Sequence, residues 1–222
     1  CVMEKVQLLL RQHVGAPCAP CVAVGDKVKK GTLIATPTGL GANIFSSVYG
    51  EVSEILEDRI VIKADAEQPD EFVPIDVPED ASKLDMIKAA GIVGMGGAGF
   101  PTGIKLNIDL SATEQGEFRE DINPELPKDF KLEHSYILIN DSECEPGLAH
   151  NIKQTIEQTD KVIRGVKYCM EITKADKAIF AIKKKNREAV LKLLDALKDE
   201  ENISVHLLPD IYPMGEERAV VR

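Results

Sequence analysis

The fifteen residues from Gly91 to Lys105, GIVGMGGAGFPTGIK, contain six glycines and constrain the chain more than any other stretch. Glycine lacks a Cβ, so a run of this density is typical of backbone that approaches another group closely. Successive amides in such a loop can cradle an anion, and a helix that starts near Pro101 would add its positive end. The stretch therefore predicts a loop that contacts phosphate or a flat ring, with Lys105 supplying a positive charge. A tight structural turn is the alternative for an isolated glycine run.

The glycine spacing also limits the kind of nucleotide loop. Gly94, Gly97 and Gly99 do not fit the dinucleotide fingerprint, whose first two glycines are two residues apart and directly follow a strand. The string from Gly94 to Lys105 instead resembles the flavin-binding loop of the NADH-binding flavoprotein subunit of respiratory complex I and of RnfC-like proteins. In those families GxGGAGFPTxxK wraps FMN and forms part of the NADH site, which is what the resemblance implies here.

The charge and hydropathy of the chain bear on its partners. The formal net charge of -10 argues against nonspecific binding to nucleic acid or an anionic membrane, because both require a cationic surface. No apolar run approaches the length of a membrane span, and the start has no signal-peptide pattern. We therefore expect a cytoplasmic protein with no nucleic-acid partner and no direct membrane insertion, although it could be peripheral to a membrane complex through a partner.

The five cysteines are odd in number and scattered, which argues against a secreted disulfide framework. Cys18 and Cys21 form a lone CxxC pair, which could be half a metal site or a redox pair. Because no second pair follows, structural or incidental thiols are favoured, and no metal site is predicted. The chain begins at Cys1 without Met and stops at Arg222 within the pattern of a starting helix, so we expect a fragment.

The first third of the chain has a β pattern. VAVGDKVKKGTLI at 22–34 and IFSSVYGEVSEI at 44–55 alternate apolar residues with glycine turns. The pair resembles the two halves of a biotinyl/lipoyl-type barrel-sandwich. Carrier domains of that type present a modifiable lysine between the halves, whereas 35–43 contains none, so a swinging-arm carrier is disfavoured. RnfC-like proteins carry such an unmodified module before their flavin domain.

The rest of the chain alternates strands and helices. After a proline- and acid-rich linker at 68–79, a helix is predicted to start at Ser82 and stop at Gly91. A polar insert covers 111–133, and short apolar runs then predict strands with helices between them, the first of them buried on both faces, at 135–140, 177–182 and 203–208. This pattern favours a parallel Rossmann-like sheet.

Helix boundaries in this half follow from capping signals. Pro146 and Gly147 are predicted to open a helix that runs to about Gln158. Thr159 with Asp160 is predicted to cap the next helix, and 187–197 is predicted to be amphipathic. The fold class is therefore α+β with two domains. A β barrel-sandwich hybrid spans 1–75, and an α/β Rossmann-like FMN/NADH-binding domain spans 80–222.

Polar residues follow the first predicted parallel strand, at the end where α/β proteins keep their ligands. Asn140, Glu143 and Glu145 lie in the string NDSECEP. Buried carboxylates need donors, and a ribityl or ribose chain supplies hydroxyls. The alternative is the preference of helix N-termini for acids, which explains one carboxylate but does not require Asn140.

The third strand is followed by a further motif, YPMGEE, from Tyr212 to Glu217. In the flavoprotein of complex I, the segment YxxGEE starts a helix beside the flavin, and the segment NxxExEP contacts FMN and NADH. The chain matches both segments, so three separated motifs occur in the same order as in that family. Together they are far more specific than any one of them.

The resemblance implies roles residue by residue. Phe100 would stack on the nicotinamide nucleotide and Glu145 would bind its ribose hydroxyls. The cofactor-binding set, which would hold the phosphate, ring and ribityl chain of FMN and close its pocket, is Gly94, Gly96, Gly97, Ala98, Lys105, Asn140, Glu143, Gly215, Glu216 and Glu217. No protein acid or base is required, because FMN itself performs hydride chemistry.

Three positions depart from the complex I pattern. Met95 stands where complex I has arginine, although RnfC-like proteins have an apolar residue there. Ile108 stands where complex I has an aromatic that stacks on NADH, and Ser142 replaces an acid. Within the RnfC-like group, PTGLGANIFSSVYG, ECEPGLAHN and YPMGEERAVVR look closest to the branch associated with clostridial D-proline reductase.

The resulting expectation is an NADH dehydrogenase-type electron-transfer subunit. It would accept hydride from NADH onto FMN and pass electrons to iron-sulfur centres in absent segments or in partners, which would be other electron-transfer subunits or a reductase. The alternative is a docking or scaffold subunit with a vestigial flavin site. His13, His134, His150 and His206 are predicted to be structural or surface residues, because none has a cysteine or acid partner placed for it in the sequence.

Overall fold

A computed structural model describes residues 4–95, 97–111, 134–143 and 147–221. The chain divides into two compact units, Cys1–Asn107 and Ile108–Arg222. The glycine-rich segment thus belongs to the same compact unit as the β module. The predicted domain limits at 75 and 80 stay a prediction.

The first unit is built from seven short strands: β1 (Lys5–Leu9), β2 (Cys18–Pro20), β3 (Lys27–Val28), β4 (Leu33–Pro37), β5 (Ile44–Phe45), β6 (Gly50–Ile55) and β7 (Arg59–Ala64). They form a four-stranded sheet in the order β1-β7-β6-β3 and a three-stranded sheet in the order β2-β4-β5. All of these strand pairs are antiparallel. The predicted β module is therefore confirmed.

The core of this unit takes residues from both sheets. Ile34 of β4, Val52 of β6 and Ile60 and Ile62 of β7 are fully buried and belong to one apolar cluster. Ile60 and Ile62 are two residues apart on β7, which is the alternation that places every second side chain on one face of a strand. Burial of these side chains is what stabilises the module, since apolar area removed from water is the main favourable term in folding.

The predicted helix before the glycine segment is confirmed as α1 (Lys83–Ala89). Ser82 caps it, because the Ser82 hydroxyl accepts a hydrogen bond from the Asp85 amide at 3.1 Å. Gly91 follows the helix with φ +64°, the left-handed conformation that glycine supplies at helix ends. A four-residue helix, α2 (Thr102–Lys105), begins after Pro101, close to where the sequence predicts it.

The second unit contains a parallel sheet in the order β10-β9-β8, from β8 (Tyr136–Asp141), β9 (Lys177–Lys183) and β10 (Ile203–Leu208). The helices are α3 (His150–Glu157), α4 (Thr159–Thr173), α5 (Arg187–Ala196) and α6 (Glu217–Val221). Phe180 and Ile182 of β9 pack with Leu193 of α5 in the core. The predicted alternation of strands and helices around a parallel sheet is confirmed.

Three local predictions in this unit are wrong. β8 is not buried on both faces, because it lies at the edge of its sheet and leaves Tyr136 and Leu138 exposed. Helix α3 begins at His150 rather than at Gly147, whose φ is +80°. Thr159 does not cap α4, because its hydroxyl donates to the Thr155 carbonyl at 2.6 Å.

The insert predicted at 111–133 falls outside the described residues except at Ser111. In the part of the chain that the structure describes, no helix combines the length and the apolar character needed to cross a membrane.

Candidate flavin site

The glycine-rich segment folds back on itself in the first unit. The Gly94 amide donates to the Phe100 carbonyl at 2.9 Å, and the Thr102 amide donates to the Ile92 carbonyl at 2.9 Å. Val93 and Pro101 form an antiparallel bridge between these two hydrogen bonds. The segment is therefore a narrow antiparallel loop that presents the residues between 94 and 100 at its tip.

The tip of this loop exposes backbone donors. The amides of Gly97, Ala98 and Gly99 donate to no acceptor among the described residues. Lys105, in the last turn of α2, is exposed and has no ion pair within the described part of the chain. Phe100 is 43% exposed. Backbone amides without an acceptor and a lysine ammonium are groups that bind a phosphate.

Loops of the β module contact the tip of the glycine segment and the end of the helix that precedes it. The Val14 amide donates to the Ala98 carbonyl at 2.9 Å, and the Asn43 side-chain amide donates to the Ala89 carbonyl at 3.0 Å. A Cβ at Gly99 would lie 3.0 Å from the Gln12 carbonyl oxygen. The glycine at 99, with φ +67°, is therefore required by the fold of this unit whether or not a ligand binds.

In the second unit, the end of β8 is hydrogen-bonded to the YPMGEE segment. Asn140 Nδ2 donates to the Gly215 carbonyl at 2.8 Å. Ser142 Oγ donates to the Met214 carbonyl at 2.6 Å. The structure thus joins two motifs that lie more than seventy residues apart and that the sequence assigned to one site. Ser142, which departs from the complex I pattern, makes one of the two contacts.

Glu143 lies next to this contact and is nearly buried, with 10% of its side chain exposed. Its Oε1 lies 2.7 Å from His150 Nδ1, which is ion-pair distance, and accepts a hydrogen bond from the Asn151 amide at 3.3 Å. Its Oε2 is buried and has no hydrogen-bond partner among the described residues. A buried carboxylate oxygen without a donor is costly, so its presence points to a donor that the described chain does not supply.

Asp141 is the other carboxylate at the end of β8, and only 4% of it is exposed. Burial, opposed by a hydrogen bond from Thr155 Oγ1 at 2.9 Å and reinforced by the nearby charge of Glu143, raises the pKa of Asp141 to about 6. A pocket of about 390 Å³ opens here between β8, α3 and α4, and its lining includes Asn140, Asp141 and Asn151. Sequence reasoning did not single out Asp141.

The two acidic residues of the YPMGEE motif lie at the start of α6. Glu216 Oε2 accepts from the Ala219 amide at 3.1 Å, and Glu217 lies in the first turn of the helix. Tyr212 is 83% exposed. The part of this motif that contacts the end of β8 is therefore its backbone, through the carbonyls of Met214 and Gly215.

The predicted site residues fall into two groups. Gly94, Gly97, Ala98, Phe100 and Lys105 lie on the loop of the first unit, whereas Asn140, Glu143, Gly215, Glu216 and Glu217 lie in the second. Gly96 and Glu145 lie outside the described residues. The convergence of the two groups on one ligand remains a prediction.

Two of the four histidines have partners that the sequence did not reveal. His150 contacts Glu143, and His13 Nε2 accepts from the Ala42 amide at 3.1 Å and lies 3.4 Å from Cys18 Sγ. These two contacts are not evident from the sequence, and the assignment of the four histidines as structural or surface residues stays a prediction. The sequence signals for these contacts are weak: His150 follows Glu143 by seven residues, and His13 precedes Cys18 by five. His206 is exposed on β10.

The two cysteines of the CxxC pair are in different environments. Cys18 is buried and its Sγ donates to the Ala42 carbonyl at 3.2 Å, whereas Cys21 is exposed. Burial raises the pKa of both thiols. No group of three potential metal-ligating side chains occurs among the residues that the structure describes.

Two observations test whether these residues fit a flavin nucleotide. A Cβ at Gly97 would meet no atom within 4 Å, and Gly97 is not in the left-handed region, so the fold of this unit does not need glycine there. The buried, unpartnered Oε2 of Glu143 is an acceptor suited to a ribityl hydroxyl or a ring N–H. Both features fit FMN: Gly97 leaves space for a bound group, and Glu143 Oε2 leaves an acceptor for one of its hydrogen-bond donors.

Comparison with known proteins supports this assignment. A family model described as the Nuo51 FMN-binding domain matches residues 87–222, and one described as the RnfC barrel sandwich hybrid domain matches residues 2–73. The C subunit of the proton-translocating ferredoxin:NAD(+) oxidoreductase complex of Clostridium ljungdahlii is 33% identical over 99% of this chain and 47% of its own length. The corresponding protein of the Na(+)-translocating ferredoxin:NAD(+) oxidoreductase complex of Acetobacterium woodii is 29% identical over 98% of this chain and 48% of its own length.

A third relative is the C subunit of the ion-translocating oxidoreductase complex of Rhodobacter capsulatus, which is 30% identical over 98% of this chain and 41% of its own length. The chain thus spans about half the length, or slightly less, of the curated relatives it matches. The order of the two matched domains agrees with the β module and the α/β unit seen in the structure. The chain therefore belongs to the RnfC-like family, in which an RnfC barrel-sandwich hybrid domain precedes a Nuo51-type FMN-binding domain.

Proposed function

We propose that this chain forms the FMN site of an electron-transfer protein that takes hydride from NADH and delivers electrons to iron-sulfur centres in other segments or in partner subunits. The observation that carries the proposal is Glu143 at the end of β8, whose buried Oε2 has no donor among the described residues. The family match assigns this strand end to an FMN-binding domain. FMN, when bound, supplies the hydride and single-electron chemistry. The protein therefore needs only to bind FMN, orient it and enclose it.

The residues divide these tasks. The free amides of Gly97 and Ala98, with Lys105, would bind the phosphate. Glu143 would accept a hydrogen bond from the ribityl chain or the ring edge. Asn140 donates to the Gly215 carbonyl and so helps to hold the Met214–Gly215 backbone beside the end of β8. Phe100 offers an exposed ring face to the nicotinamide nucleotide, and Glu145 would bind its ribose.

The FMN site is tested by titrating the purified protein with FMN and with riboflavin and following flavin fluorescence and absorbance. We expect binding of FMN and weaker binding of riboflavin, because riboflavin has no phosphate for Lys105 and the loop amides. The variant Lys105→Gln should reduce the preference for FMN over riboflavin. Folded protein that is indifferent to FMN would contradict the proposal and would favour the alternative, a docking subunit with a vestigial site.

NADH as the donor is tested separately. FMN-loaded protein is mixed with NADH and ferricyanide, and the loss of NADH absorbance is recorded. We expect turnover that depends on FMN. FMN-bound protein that leaves NADH untouched, even with its full set of partners, would place the donor elsewhere, with ferredoxin as the next candidate because the names of two relatives include it.

The electron acceptor has two candidates. The ECEPGLAHN and YPMGEERAVVR strings support a cytoplasmic role beside a D-proline reductase. The names of the relatives support an ion-translocating membrane complex instead. The two are distinguished by asking whether NADH reduces purified D-proline reductase in the presence of this protein and of iron-sulfur partner proteins. No reduction under those conditions would favour the membrane complex.

A further inference from the structure

The two oxygens of the Glu143 carboxylate have opposite surroundings. Oε1 accepts a hydrogen bond from the Asn151 amide at 3.3 Å and lies 2.7 Å from His150 Nδ1, which is ion-pair distance. Oε2 accepts from none of the described residues although it is buried. A free carboxylate can turn about its last torsion to share donors between its oxygens. Here both donors approach the same oxygen, so the other one is held away from them.

His150 is placed to fix this orientation. It is the first residue of α3, half of its side chain is exposed, and its Nδ1 faces a carboxylate oxygen. A carboxylate oxygen only accepts, so an attractive contact between these two atoms requires a hydrogen on Nδ1. That contact exists in either charge state of the ring, provided that the neutral form has its hydrogen on Nδ1.

The simplest structural role for this contact would be helix capping. Ala149 makes no side-chain cap for α3, and Glu143 Oε1 accepts from the Asn151 amide in its first turn. Capping explains why Oε1 is held. It does not explain why Oε2 is buried without a donor, since a cap leaves the second oxygen free to reach water.

We propose that His150 is a positioning residue for the flavin: it holds Glu143 through Oε1 so that Oε2 is presented as an acceptor to a hydroxyl or N–H donor of bound FMN. This inference rests on the proposed FMN site and adds to it a residue outside the NxxExEP and YxxGEE motifs. His150 itself is not proposed to touch the flavin. Its effect on FMN passes through the orientation of Glu143.

The decisive variants are His150→Ala and His150→Asn. Alanine removes the donor, whereas asparagine places its Nδ2 close to the position of Nδ1 and can still donate to Oε1. We expect His150→Ala to weaken FMN binding about tenfold, because an acceptor that is no longer oriented forms a weaker charge-assisted hydrogen bond. His150→Asn should restore most of the affinity. Lys153→Ala is the matched control, since Lys153 is on the same helix with an exposed side chain that pairs with Glu157.

Three measurements are made on each variant: the FMN dissociation constant by fluorescence, the absorption spectrum of the bound flavin, and the urea unfolding midpoint of the FMN-free protein. The positioning role predicts weaker FMN binding and a shifted flavin spectrum in His150→Ala, with recovery in His150→Asn. A role in helix capping alone predicts a lower unfolding midpoint with an unchanged dissociation constant, and that result would overturn the inference.

The proposed function and this inference fail in different ways. If the wild-type protein ignores FMN, both are wrong. If the wild type binds FMN and His150→Ala binds it equally well, the FMN site stands and the role of His150 is refuted. If Lys153→Ala weakens binding as much as His150→Ala does, the effect belongs to the helix as a whole and the inference is again refuted.

Discussion

Two glycines of the same segment are expected to respond to alanine in opposite ways, and the pair separates what the fold requires from what the ligand requires. At Gly97 an added Cβ would meet nothing within 4 Å, and the backbone is not left-handed. At Gly91 the added Cβ would lie 2.3 Å from the Asn43 carbonyl oxygen, and φ is +64°. The protein without ligand therefore has room for a side chain at Gly97 and none at Gly91.

The magnitudes follow from these environments. Gly91→Ala places alanine in the left-handed region, which costs about 1–2 kcal/mol before any clash. The backbone at Asn43 must also move, so we expect a total loss of about 2–3 kcal/mol of unfolding free energy. Gly97→Ala has neither penalty and reduces the entropy of the unfolded chain, so stability should be unchanged or higher by up to about 1 kcal/mol.

Binding of FMN should show the reverse order of effects. The methyl group of Gly97→Ala would occupy the space through which the loop backbone approaches the flavin, and we expect a dissociation constant at least about tenfold higher, or 1.4 kcal/mol. Urea unfolding measures the stability of both variants, and flavin fluorescence measures binding. Gly97→Ala protein that binds FMN as tightly as wild type would refute the reasoning that an unneeded glycine marks the ligand.

Three further predictions concern other parts of the chain. Because the pKa of Asp141 is raised to about 6, its contribution to stability is full below about pH 4 and is lost as the pH rises through 6. Over that window the unfolding free energy of the wild type should fall by about 2–3 kcal/mol, and Asp141→Asn should remove this fall. Asn140→Ala should cost about 1 kcal/mol and raise amide exchange at 212–217 but not in β10, measured by hydrogen-exchange mass spectrometry; unchanged exchange at 212–217 would contradict the contact with Gly215. Cys21 should be alkylated roughly tenfold faster than Cys18 in folded protein, with the difference lost in urea; equal rates in the folded state would contradict the burial of Cys18.

Much of the fold was predictable because its signals are local. Ser82 before an apolar helical run and Gly91 after it mark the two ends of α1, and both act through contacts within a few residues. The strand β9 follows from a continuous apolar run and β10 from apolar residues at alternate positions, in an alternating pattern of strands and helices. The motifs also identified Asn140 and Gly215 as members of one site before any contact between them was known.

The errors occur where the outcome depends on distant residues. The apolar run of β8 does not reveal that the strand lies at the sheet edge, because the order β10-β9-β8 is a property of the whole sheet. Thr159 has the residue type of a helix cap, but the preceding helix offers the Thr155 carbonyl as a partner. Local preference is a weak prior that tertiary contacts override.

The sequence by itself determined the family, the β module without a carrier lysine, and the residue types that a flavin site requires, because these depend on which residues are present and in what order. Only the tertiary structure decided that His150 contacts one oxygen of Glu143 while the other is buried with no partner among the described residues, and that Gly91 is needed by the fold whereas Gly97 is not. The physical reason is that burial, hydrogen-bond pairing and the space around a missing Cβ are set by atoms far away in the chain.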